Sequence, residues 1–437
     1  MWLTDESDSK LGEARDEATI RISSKSTFQQ NTDNRSPRMI YTPSTVELPV
    51  DAPIKRVPPR NPDDRQPDYL DKFDYHTVFS DIFVNHGTLW FIGPHWENLE
   101  RELRATRFEW NWNDITQNIT FESLNRMSRA SAPVTDTPGI LIIDGPLGYW
   151  EVEVPCISER PRPEGHILVT QQQDNRLEWI AYWAFYNSLV NNTDTIIIYD
   201  NNSSLYSAER VDQVLSLIPG IKRHIVVKWG MPYGPTGGPN NVWDSDYSQH
   251  VAWEHSRRFF APSAKSVLMI DIDELPIHLA GKSLPEALEE SNQPVLHFNR
   301  QPIRPFPNRS KNLDGVRVHA DYSLGEKRGA WLAPKYIYSP HLINNDDQLM
   351  AHVVRGEDTT PAPSDQVFAG HFDAIRIRWR LDQKTQVPNF NKVEDIVEPT
   401  ELSQAFNEKF DKLDEAWREL LTKIAPIINS QGLPHID

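Results

Sequence analysis

The chain has 437 residues, enough for two or three domains, and a formal net charge of −17. That charge excludes nucleic acid as a partner and docking on an anionic membrane, because both need a basic face. A single cysteine, Cys156, excludes an internal disulfide and fits a reducing compartment.

Residues 1 to 75 are polar, charged and interrupted by Pro37, Pro43, Pro49, Pro53, Pro58, Pro59, Pro62 and Pro67. Such a segment buries little apolar area to offset its ordering entropy, so an irregular extension is expected, able to wrap over the folded body. Its first residues, Met1 to Glu6, carry no basic or apolar signal region, and no apolar run in the chain approaches the ~20 residues that span a bilayer. No transmembrane segment and a cytoplasmic location are therefore expected, with the Asn118, Asn192 and Asn308 sequons incidental.

Residues 76 to 158 read as a small β-rich domain. Phe79 to Val84, Thr88 to Ile92, Gly139 to Ile143 and Gly148 to Val154 are short, rich in β-branched and aromatic residues, and bounded by turn formers. Pro155 to Gly165 is the expected linker.

From His166 the pattern alternates. Ile167 to Val169, Thr195 to Tyr199, Ile225 to Trp229, Val267 to Ile270 and Val295 to Phe298 are apolar strands. Between them, Leu177/Ile180/Ala181/Ala184, Val211/Val214/Leu215/Ile218 and Tyr247/Val251/His255/Phe259 recur at helical spacing. Continuous apolar strands alternating with helices indicate an α/β unit over 166–385, a mostly parallel sheet with helices on both faces. A C-terminal helix is expected over 398–428, capped by Thr400 and carrying Leu402, Phe406, Phe410, Leu413, Trp417, Leu420 and Ile424 on one face.

In such sheets ligands bind beyond the carboxyl ends of the strands. Two acidic clusters fall there. Asp271-Ile272-Asp273-Glu274 follows the apolar run Ser266 to Ile270, and Asp200 ends the strand before Asn201-Asn202-Ser203-Ser204. Close acids repel unless a cation sits among them, and a hard divalent ion, Mn2+ or Mg2+, carrying a diphosphate suits them. Asp200 and Asn202 are candidate cofactor-binding residues, as is Asp271, although an Asx turn explains that segment equally well.

Lys335 could neutralise a departing diphosphate. His341, His352 and His371 follow, and His371, next to Gly370, is the preferred histidine ligand, so Asp271, Asp273 and His371 form the expected metal set. The loop Met231 to Asn241 is Pro/Gly-rich but lacks GxxxxGK[ST], and no GxGxxG opens a helix. One cysteine allows no zinc spacing, and there is no GxSxG elbow.

Taken in order, Leu177-Glu178-Trp179-Ile180, Ile198 to Ser204, Gln249, Ile270 to Leu275, Pro334 to Ile337 and His371-Phe372 resemble the glycosyltransferase family 92 (DUF23-like) group of GT-A glycosyltransferases, and more loosely family 2. The resemblance covers about 166 to 380, half of the chain. It implies a GT-A fold, a nucleotide-sugar donor with UDP favoured, a glycan acceptor, a divalent cation at the DxD and inversion at the anomeric carbon. Asp200 matches the nucleotide-contacting acid, Asp271 and Asp273 the metal and ribose site, and His371 the late histidine. Where the family usually carries Lys-Asn-Glu after the first strand, this chain reads Thr170-Gln171-Gln172-Gln173-Asp174, so no donor-base contact carries over there. Candidate bases for an acceptor hydroxyl are Glu274, Asp314, Asp321 and Glu326, among which the sequence does not choose. The altered first-strand motif motivates an alternative, a non-catalytic glycan- or nucleotide-binding protein. A nucleotidyltransferase ranks last, because no basic glycine-rich loop follows the first strand.

Overall fold

The computed structural model describes residues 22–25, 27–31, 38–158, 162–309, 316–325, 332–356, 363–376 and 400–429. Asp314 and Glu326, two of the candidate bases, lie outside the described residues.

A ten-stranded mixed sheet forms the frame. Its middle strands, Ser266–Met269, His166–Gln172, Thr195–Asp200, Arg223–Lys228 and Arg38–Thr42, run parallel to one another in that order. Beyond Ser266–Met269 come Leu332–Tyr338, Val295–Ile303, Ser364–Phe372 and Glu274–His278, joined mostly antiparallel. The result is a mixed α/β architecture with a mostly parallel sheet.

The middle strands are buried on both faces, as continuous apolar runs require. Leu168, Ile196, Ile198 and Val226 point to one face, where they meet the helices Leu177–Val190, Ala208–Leu215, Leu284–Ser291 and Glu401–Asn429. Ile167, Val169, Ile197, Tyr199, Ile225 and Val227 alternate to the other face with the period of two that a strand imposes. That face is covered differently from the expectation. The helix Ser248–Phe259 shares it with Phe83, Ile92 and Met127, which come from a four-stranded antiparallel sheet.

This second sheet contains Asp81–Asn85, Thr88–Pro94, Thr120–Leu124 and Met127–Pro133. The run expected as one strand from Phe79 to Val84 is broken at Ser80 into Thr77–Phe79 and Asp81–Asn85. Gly139–Gly145 and Gly148–Val154 form an antiparallel hairpin in a further, five-stranded sheet.

Within the proline-dotted segment, Arg38–Thr42 departs from the irregular expectation. Ile40 packs into one core and Tyr41 into the other, so this short alternating stretch extends the parallel sheet by one strand. The Tyr41 hydroxyl donates to Asp81 Oδ2 at 2.7 Å, and His255 Nε2 meets the same oxygen at 2.8 Å while its Nδ1 meets the Tyr199 hydroxyl at 2.7 Å. This fully buried polar chain ties the N-terminal segment, the antiparallel sheet and the 248–259 helix to the central sheet.

The Thr400 hydroxyl accepts the Ser403 amide at 3.1 Å, starting the helix Glu401–Asn429 as its sequence predicts. Phe406 of that helix packs against the Ser364–Phe372 strand, meeting the Phe372 ring edge-on at 5.6 Å between centroids. A Cβ on Gly370 would lie 2.8 Å from the Phe406 ring and 2.9 Å from Ile303. The glycine thus makes room for a helix.

Candidate functional site

Parallel strands end on one rim, so Asp200, Gln172 and the segment after Met269 lie side by side there. A cavity of about 390 Å³ opens beyond this rim, within the size range of small-molecule sites. Asp271, Asp273, Arg300, Lys335, His352 and His371 line it.

Arg300, Lys335 and His371 come from three neighbouring strands, Asp271 and Asp273 from the turn between two others, and His352 from the loop between Gln348–Leu349 and Val354–Arg355. Chain direction places Asp271 just past Ser266–Met269, and Asp273 just before Glu274–His278. The antiparallel register pairs Glu274 with His371, which carries the imidazole to the acids although 97 residues separate the two positions. Lys335 lies opposite Phe298 in the Val295–Ile303/Leu332–Tyr338 pair, and a register shift between Phe298 and Arg300 re-aims the following side chain.

The charges pair closely. Lys335 Nζ lies 2.9 Å from Asp271 Oδ2 and 3.6 Å from Glu274 Oε2. Arg300 Nη1 bonds Glu274 Oε1, and the Asp271 amide donates to Glu274 Oε2 at 3.1 Å. Gln249 Nε2 donates to Asp271 Oδ1 at 2.9 Å, and its Oε1 accepts from the Tyr247 hydroxyl at 2.6 Å. His371 Nε2 lies 3.4 Å from Asp273 Oδ2, and its Nδ1 lies 3.7 Å from Asp373, which Arg304 holds at 2.9 Å.

Acidities follow from these contacts. Burial alone would raise the Asp271 carboxyl, but the adjacent Lys335 and then Arg300 outweigh it and hold it down at about 2. Asp273 is pushed up to about 6 by burial, with Glu274 and Asp271 adding repulsion against the opposing pull of His371. Burial opposes the His371 charge, yet Asp273, Asp373 and Glu274 raise the imidazole to about 9. His352 goes the other way, down to about 4, through burial beside Lys335 and Arg300.

The donor set can be tested against a hard divalent ion. Asp273, Glu274 and His371 can each bring one ligand atom within 4.8 Å of the others. The two carboxylate oxygens suit Mn2+ or Mg2+, and the imidazole nitrogen favours Mn2+ of the two. Glu274 is fully buried and already engaged by Arg300 and Lys335, so Asp273 and His371 are the available pair. Asp271, expected in the metal set, instead faces Lys335 and Gln249.

The remaining candidates lie elsewhere. Asp200 is buried, accepts from Gln172 Nε2 and Ser203 Oγ, and is raised to about 6, chiefly by burial. It locks the turn after its strand and is not among the described residues lining the cavity. Asn202 takes the left-handed conformation at φ 59°, which asparagine tolerates, and lines an adjoining recess of about 280 Å³ with Gln173, Asn201 and Tyr233. Asp321 accepts the Val318 amide at 2.8 Å and closes its own short turn. His341 is exposed. Arg300 and His352 are the cavity groups given least weight by sequence reasoning.

No protein family matches the chain, and no curated protein does. Among solved structures it is similar to the apo structure of WbbM, a bifunctional glycosyltransferase, at 15% identity and a TM-score of 0.20, over 35% of this chain and 27% of that one. The match thus spans little more than a quarter of the other protein's length, and a TM-score this low says nothing of fold or activity. No helix among the described residues is long and apolar enough to cross a membrane.

Proposed function

We propose that the chain is a metal-dependent glycosyltransferase of GT-A type, moving a sugar from a nucleoside-diphosphate donor, UDP favoured, to a glycan or other hydroxyl with inversion. The observation that carries this reading is the cavity at the strand-end rim, where Asp271, Asp273, Lys335, Arg300 and His371 converge. The resemblance of the 166–380 segment to glycosyltransferase family 92 supports it.

With three carboxylates facing Lys335, Arg300 and protonated His371, the cluster is electrically balanced as it stands. A ligating imidazole must be neutral, so a metal ion held there would displace the His371 proton, and the cluster would then suit a metal–diphosphate pair of small net charge. Mn2+ or Mg2+ held by Asp273 and His371 would supply positive charge facing the diphosphate. Lys335 and Arg300 stabilise the negative charge that grows on the leaving group, inside a cavity that keeps them preorganised. Asn202 and the adjoining recess give the nucleoside a polar wall, and Asp200 holds the turn that presents Asn202.

A second reading is non-catalytic nucleotide or glycan binding. It is favoured by Glu274, whose carboxylate is held by two cations and is unfit as a base. Thermal-shift measurement with UDP-, GDP- and CMP-sugars, each with and without Mn2+, tests the donor class, because a bound ligand raises apparent stability. Turnover of the stabilising sugar separates the readings. If no nucleotide-sugar shifts the transition, glycosyl transfer and nucleotide binding both fail, and only glycan binding is left.

A further inference from the structure

We propose that His352 is the general base of this site, with Nε2 taking the proton of the acceptor hydroxyl; this rests on the glycosyl-transfer reading above. A general base needs a free lone pair facing the cavity, and most groups there have none. Asp271 uses one oxygen for Gln249 and the other for Lys335. Glu274 uses one for Arg300 and the other for the Asp271 amide and Lys335. Asp273 lies 3.4 Å from His371 and is, with it, the pair proposed to hold the metal ion. The Tyr247 hydroxyl is committed to Gln249.

His352 differs from all of these. It lines the same cavity, and its Nδ1 lies 3.0 Å from the Pro334 carbonyl oxygen. A carbonyl only accepts, so Nδ1 carries the hydrogen. In the neutral ring the lone pair is then on Nε2, which has no hydrogen-bond partner among the described residues. Burial first, and then the facing charges of Lys335 and Arg300, keep this ring unprotonated, with the Glu274 and Asp271 carboxylates opposing them. It is therefore in the form a base needs at neutral pH.

The same neighbours strengthen it when required. A diphosphate entering beside Lys335 and Arg300 cancels their field, so the imidazole becomes more basic once the donor is bound. In the step itself, the acceptor oxygen bonds to the anomeric carbon as its proton passes to Nε2. The anomeric C–O bond to the diphosphate breaks, and its electron pair leaves with the nucleoside diphosphate. The imidazolium then returns its proton to solvent.

The test uses the full chain with Mn2+ and UDP-glucose, UDP-galactose and UDP-N-acetylglucosamine, taking water and free mono- and disaccharides as acceptors. UDP release is measured for wild type, His352→Ala and His352→Gln, and UDP affinity by calorimetry. Both variants are expected to lose on the order of 100-fold in kcat, with UDP affinity and KM for the donor little changed. Free imidazole is expected to restore release in His352→Ala and not in wild type, a response that a purely structural histidine would not give. Variants that keep the wild-type rate, or a lost rate that imidazole cannot restore while UDP still binds, overturn the assignment and leave the glycosyl-transfer reading standing. A wild-type chain that binds UDP-sugars but releases no UDP with any acceptor overturns both.

Discussion

Lys335 Nζ sits 2.9 Å from Asp271 Oδ2, and the ammonium is only 1% exposed. A buried cation of this kind is held by its carboxylates as much as it holds them, so removing it leaves Asp271 and the fully buried Glu274 partly uncompensated. Lys335→Met is expected to lower unfolding free energy by about 3 kcal/mol, the scale of breaking one partner from a buried pair. Adding Glu274→Gln is expected to recover part of that loss. Urea denaturation of the single and double variants measures it, and equal midpoints for wild type and Lys335→Met would contradict the pairing.

The metal pair is separable from its neighbours. Asp273→Ala and His371→Ala are each expected to weaken Mn2+ binding roughly 100-fold or more, since each removes half of the available ligands. Asp321→Asn is expected to leave Mn2+ affinity unchanged, because that carboxylate closes a turn outside the cavity. Electron paramagnetic resonance of free Mn2+ during titration reads this without any turnover. Equal affinity in Asp273→Ala and wild type would remove the metal from the proposed site.

Asp246 supplies a pH-dependent test away from the cavity. Its carboxyl is 1% exposed, has no hydrogen-bond partner on either oxygen among the described residues, and is pushed up to about 7, chiefly by burial. A carboxyl raised in the folded state favours folding below its unfolded pKa, and that advantage is lost as pH rises through the folded value. Moving the group from 3.8 to about 7 corresponds to a penalty on the order of 4 kcal/mol once it ionises. Asp246→Asn is therefore expected to melt above wild type at pH 8.5, to keep about a third of that advantage near pH 5, and to lose it below about pH 4. Asp200 and Asp273, both raised to about 6, give losses of the same sign that persist in the variant. Parallel melting curves for the two proteins across this range would contradict the assignment.

The parts of the site legible in the sequence are those set by local pattern. Thr195–Asp200 and Ser266–Met269 are continuous apolar runs, so their polar successors had to emerge on a common rim. The charge partners were less legible, because they depend on strand order. Arg300 reaches Glu274 only because Val295–Ile303 and Glu274–His278 both border Ser364–Phe372. Glu274 read as a candidate base because its two cations lie 26 and 61 residues away in the chain. Likewise Arg38–Thr42 looked irregular, since its strand partner Arg223–Lys228 is remote and its flanks are proline-rich. The 97-residue reach from Glu274 to His371 is set by the antiparallel register of their two strands, which no local pattern announces; the glycine beside His371 was the local signal that singled it out.

Gly370 precedes His371, and that position suggested room for a ligand. The packing assigns the room to Phe406 instead. A methyl group at residue 370 would stand 2.8 Å from the Phe406 ring, 2.9 Å from Ile303 and 3.0 Å from Phe372, all closer than carbon atoms pack. Gly370→Ala is thus expected to destabilise the chain by about 1–3 kcal/mol through overpacking, with the C-terminal helix losing protection from hydrogen exchange first. Phe406 is buried without exposure, so Phe406→Leu alone also costs stability by leaving a cavity. Combined with Gly370→Ala, the smaller side chain gives the added methyl a place, and the two losses are expected to sum to less than their separate values. Urea unfolding of the four proteins in this cycle measures the coupling. Strict additivity would mean that Gly370 and Phe406 do not share the space between helix and strand. A loss of Mn2+ affinity in Gly370→Ala at unchanged stability would return the glycine to the site.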